Sequence, residues 1–141
     1  VCWPDPLILA QFCVDFPEMT IVLQVGGGAL KCVNRNPSEL ALRLAQYADL
    51  AHYVLIDPSG GRGERFDPPY TAEMTAVVVE SGFLPVVAGG LSASTLDPVR
   101  LLLGRFPNLS WDAEGRLMKP EGELSPRECS CYLNVSFSLL D

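Results

Sequence analysis

Hydrophobic residues in this chain come in short runs, each closed by glycine or aspartate, with stretches of helical length between them. TIVLQV (20–25), YVLID (53–57), LPVVAGG (84–90) and NLSWD (108–112) read as strands. They are apolar runs rather than alternating ones, which predicts parallel strands buried on both faces. Three glycines, 26 to 28, break the first of them. Between the strands, a capping residue followed by proline marks helix starts. Asp5-Pro6 opens PLILAQFCVDF, Asn36-Pro37 opens the segment running to Ala48, and Ser125-Pro126 opens a last helix over 125–140. In the second of these, Leu40, Ala41, Leu44, Ala45 and Ala48 make one apolar face. PYTAEMTAVVVESG reads as a helix closed by Gly82, and SASTLDPVRLLLGRF as one that starts at Ser92 or at Asp97.

Helices and strands therefore alternate strictly, αβαβαβαβα, and the right-handed crossover rule predicts four parallel strands, adjacent in chain order. Each strand carries glycine or aspartate at its carboxyl end, where both barrel and doubly wound α/β folds place ligands. Periodicity does not show closure. Four strands suffice for an open sheet but make only half of an eight-stranded barrel.

Composition adds limits. A chain of 141 residues, 48% hydrophobic, can build one core. Lysine and arginine total 10 against 17 acidic residues, a formal charge of −7, and no stretch gathers the basic ones. This argues against a nucleic-acid partner. No apolar run approaches the roughly 18 to 20 residues of a membrane helix, and no signal peptide is evident, so a cytoplasmic protein without membrane partners is expected. Cys2, Cys13, Cys32, Cys129 and Cys131 are odd in number and scattered, which fits reduced thiols. His52 is the sole histidine, so neither a metal nor a cofactor is expected. Asn108 and Asn134 match a glycosylation pattern that has no meaning without secretion. Because the chain opens at Val1, the expectation is a single partial domain over 1–141, part of something longer.

The chemistry concentrates at strand ends. Asp57 closes an apolar strand and is followed by SGGRG (59–63). A carboxyl group partly withdrawn from water at such a place can donate a proton near neutral pH. The rival role is a cap for the turn at Pro58. Gly60, Gly61 and Gly63 allow backbone N–H groups to approach a polar ligand, and Arg62 could reach an anion. AGGLS (88–92), with Gly89 and Gly90, could point its N–H groups at a phosphate. Asp67 reads as a helix cap, and Asp112, before Glu114-Gly115, repeats the position of Asp57 on the fourth strand.

At these residues the chain resembles phosphoribosylanthranilate isomerase, a (β/α)8 barrel of tryptophan biosynthesis. The likeness lies in YVLIDPSGGRGERFD followed by PVVAGGLSASTL and is specific over about residues 53–92. It implies a partial barrel comprising strands five to eight, with the N-terminal half missing. It further implies that Asp57 is the general acid of an Amadori rearrangement on a sugar phosphate, and that the Gly89-Gly90-Leu91 loop and the loop through Asp112 and Gly115 hold the substrate and its phosphate. The family's general base is a cysteine on the first strand, to which none of the five cysteines corresponds, so these residues alone are expected to be inactive. Where the family has Ser-Ser-Gly after strand eight, this chain has Ala113-Glu114-Gly115, and a desolvated glutamate would repel a phosphate.

Two alternatives stand beside the isomerase: a non-catalytic barrel that binds a phosphorylated metabolite or a related barrel enzyme with another substrate, and a complete open α/β domain. Four strands leave both sheet edges open, which predicts a homo-oligomer formed through them.

Overall fold

The computed structural model of the chain describes residues 3–59 and 67–140. Proline-marked helix starts form as the sequence dictates. Asp5 Oδ1 accepts from the Leu7 N–H at 2.8 Å and opens α1, Pro6–Asp15. Asn36 does the same for Glu39 at 3.1 Å ahead of α3, Pro37–Leu44. Asp67 caps α4, Pro68–Glu80, by accepting from Tyr70 at 3.3 Å, and Ser125 caps α6, Pro126–Ser138, by accepting from Glu128 at 3.4 Å. Each cap supplies an acceptor to an amide that the first helical turn leaves unpaired, worth about 1 kcal/mol. Gly82, at φ +88°, takes the chain out of α4 in a backbone conformation that side chains disfavour.

Four strands, β1 Val22–Gly26, β2 Tyr53–Asp57, β3 Leu84–Val87 and β4 Ser110–Trp111, form one parallel sheet in the order β1-β2-β3-β4. The register sets Gly26 opposite Asp57 and Ile56 opposite Val87. β3 meets β4 through Val86 with Ser110 and Val87 with Trp111, so the fourth strand is shorter than NLSWD suggests. The chain is thus α/β, a half-barrel arrangement of parallel strands flanked by helices.

Three local expectations need correction. The glycines after β1 do not only break a strand: Gly27–Cys32 forms a short helix, α2, because burying Ala29 and Leu30 outweighs the poor helix propensity of glycine. The helix from Asn36 tightens into a 3-10 turn at Ala45–Tyr47, which buries Tyr47 and leaves Ala45 and Ala48 exposed. SASTLDPVRLLLGRF divides into a 3-10 turn, Ala93–Thr95, and a helix, α5, Asp97–Leu103.

A fourth correction concerns the sheet. Val54 and Ile56 are fully buried in one cluster with Leu40, Leu44, Met74 and Val78 of the helices. A second cluster gathers Val87, Leu91, Leu96, Val99, Leu102 and Tyr132. Tyr53 and Leu55, on the alternate face of β2, are only partly buried, while Val22 of β1 and Leu84 of β3 are 52% and 38% exposed. The strands are therefore buried on one face. An apolar run on a sheet covered from one side by helices tells of what the other face is built to contact, not of what covers it here.

Candidate functional site

The carboxyl ends of the strands converge on a cavity of about 130 Å³. β2 delivers Asp57 to it, 6% exposed, and the turn that follows delivers Ser59, 3% exposed. Asp57 Oδ1 accepts from both the Ser59 N–H (3.1 Å) and the Ser59 hydroxyl (2.7 Å). An aspartate two residues ahead of a serine makes this turn with its own backbone. Asp57 thus caps the turn at Pro58 and also lines the cavity.

Gly89 follows β3 and faces the same carboxylate. Its φ of +110° is a conformation that residues with a side chain rarely adopt. Gly90, at φ +64°, continues the loop into the cavity wall. Thr95 ties this loop down: its hydroxyl donates to the Gly90 carbonyl at 3.0 Å and accepts from the Ser92 N–H at 2.8 Å. The Ser92 amide is therefore engaged within the protein, and α5 begins only at Asp97.

The loop after β4 closes another wall. The Asp112 N–H donates to the Val87 carbonyl at 2.9 Å, extending the β3–β4 ladder, and Asp112, Glu114, Gly115 and Arg116 line the cavity. Asp112 and Glu114 are exposed, so their charges are well solvated. Among the described lining residues Arg116 is the basic one. Beneath this loop α6 is tied to β4 by the Trp111 indole N–H donating to Ser136 Oγ at 3.2 Å. Burial pushes the Tyr132 phenol up to about 12, and the Asp112 charge adds in the same direction.

Asp57, Gly89, Gly90, Asp112 and Gly115 are thus brought together, whereas Gly60, Gly61, Arg62 and Gly63 lie outside the described residues. His52 sits at the opposite rim, ahead of β2, where its Nδ1 accepts from the Ile21 N–H at 3.2 Å. Among the described residues no group of histidine, cysteine and acidic side chains could hold a metal ion, and no helix is long and apolar enough to cross a membrane. Sequence reasoning missed Ser59, Gln24, Leu55 and Arg116 as lining residues. For Ser59 the signal was present in the Asp-Pro-Ser spacing. For Leu55 the signal was the alternation along β2, which puts it on the face of Asp57, and for Gln24 only the sheet register shows that a strand-interior position reaches the cavity.

A parallel sheet with its helices on one face and a cavity at the strands' carboxyl ends is the arrangement of a partial (β/α)8 barrel. No family model and no curated protein matches the sequence. Among solved structures, the chain is similar to the crystal structure of phosphoribosyl anthranilate isomerase from Thermus thermophilus, with a TM-score of 0.55 and 17% identity over 96% of this chain and 69% of that one. The fold is phosphoribosylanthranilate isomerase-like.

Proposed function

We propose that the cavity is an isomerase-type site in which Asp57 is the proton donor, and that its substrate class is an N-aryl glycosylamine phosphate such as phosphoribosylanthranilate. The observation that carries this is Asp57 itself, a carboxyl group almost removed from solvent yet lining a cavity at the carboxyl end of a parallel strand. In the ring-opening step the amine nitrogen's lone pair forms the C=N bond as the ring C–O bond breaks. Its oxygen takes the proton from the Asp57 carboxyl, leaving an iminium and an open-chain hydroxyl. The fold-level likeness to the Thermus isomerase supports the substrate class.

The test is steady-state kinetics with phosphoribosylanthranilate, using the longest open reading frame that encodes these residues, with Asp57→Asn beside the wild type. Asparagine keeps shape and acceptor oxygen but has no proton of that acidity to give. Turnover is expected to fall roughly 10²- to 10⁴-fold with substrate affinity nearly kept. Equal activity in the variant would reduce Asp57 to a turn cap.

A second function is favoured by Asp112 and Glu114, whose charges share the cavity with Asp57. Their repulsion of a dianionic phosphate is weakened by their exposure, yet it leans towards a binding barrel or an enzyme acting on another polar metabolite. Binding without turnover, or turnover only of unphosphorylated glycosylamines, would select it.

A further inference from the structure

We infer that Ser59 is a positioning residue for Asp57: it helps fix the plane of the carboxyl group so that its proton is presented to the cavity. The inference rests on Asp57 acting as the proton donor. Two donors of one residue, the backbone N–H at 3.1 Å and the hydroxyl at 2.7 Å, converge on the single oxygen Oδ1. At 2.7 Å the hydroxyl contact has the full strength of an ordinary O–H···O hydrogen bond. Both partners are almost fully buried, so water competes little for either. Pro58, between them, restricts its own φ and so limits how far Ser59 can drift from Asp57. On the other side, a Cβ at position 89 would stand 3.2 Å from Asp57 Oδ1, so Gly89 leaves room for the oxygen that Ser59 holds. A donor that must meet one oxygen of a substrate gains from being held in one orientation, and the hydroxyl of Ser59 does so without itself entering the reaction.

The experiment is a kinetic cycle on Ser59→Ala, Asp57→Asn and the double variant, with a thermal melt of each. Ser59→Ala is expected to lower kcat on the order of ten- to a hundredfold with KM within about twofold. In the Asp57→Asn background the same change should cost nothing more, because no donor is left to orient. A merely structural role would not give that non-additivity; it would multiply the two losses. Ser59→Cys, which keeps size and a weak donor, is expected to fall between serine and alanine, and it serves should alanine fold poorly. Unchanged kcat in Ser59→Ala beside a disabled Asp57→Asn overturns the role of Ser59 alone. An inactive wild type, or an Asp57→Asn variant as active as wild type, overturns the proton-donor assignment and this one with it.

Discussion

Gly89 and Asp57 are in direct apposition: a Cβ built on Gly89 would lie 3.2 Å from Asp57 Oδ1. β2 and β3 are neighbours in the sheet, so the loop leaving one strand passes over the last residue of the other. Glycine at 89 is needed twice over, for the space beside the carboxylate and for its φ of +110°.

Gly89→Ala should therefore impair both folding and the site. The backbone conformation alone costs on the order of 1–3 kcal/mol for a residue with a side chain. Denaturant unfolding measures that loss, and activity or ligand binding should fall further than Tm explains, because the methyl group presses on Asp57 Oδ1. A variant with wild-type stability would show that the loop relaxes and that the contact is not restrictive.

Leu40 and Leu42 lie on the same helix and should behave oppositely. Leu40 is fully buried and Leu42 is 73% exposed. Leu40→Ala is expected to cost about 2–5 kcal/mol by leaving a cavity, while Leu42→Ala stays within about 0.5 kcal/mol. Similar midpoints in urea for the two variants would mean that α3 does not anchor the core as described.

Stability should decline in alkali through Tyr132. Its phenol is pushed up to about 12 in the fold, against an ordinary value of 10.0. Below pH 10 both states keep the proton and the contribution is whole. As pH rises from 10 to about 12 the unfolded chain releases its proton first, so unfolding is increasingly favoured. Tm measured across that window should fall less steeply for Tyr132→Phe than for wild type. Parallel slopes would place the alkaline sensitivity elsewhere.

Self-association should cover the open face of the sheet. Val22 at 52% and Leu84 at 38% exposure lie on strands whose other face is packed by helices, and α1 exposes Leu7, Ile8 and Val14. Uncovered apolar area and unpaired strand edges favour contact with a further copy. Sedimentation of the 141-residue chain is expected to show concentration-dependent association that Val22→Glu weakens. A sharp monomer at high micromolar concentration would count against it.

Local chemistry was legible in the residues themselves. Asp5, Asn36, Asp67 and Ser125 announce helix starts because a short acceptor side chain ahead of proline satisfies amides within its own turn, whatever lies elsewhere. The four apolar runs announce parallel strands, and Asp57 and Asp112 at their ends put two carboxyl groups on one rim. These are short-range effects, fixed by the covalent neighbourhood. Tertiary structure decided the rest. The helix at Gly27–Cys32 exists because Ala29 and Leu30 find a core to enter, which no propensity of Gly-Gly foretells. Which side of each strand is covered followed from where the helices pack, since an apolar run looks the same from both faces. That Gln24 and Gly89 share one cavity with Asp57 required the sheet register, because strands far apart in sequence meet only through hydrogen bonds that the sequence does not specify.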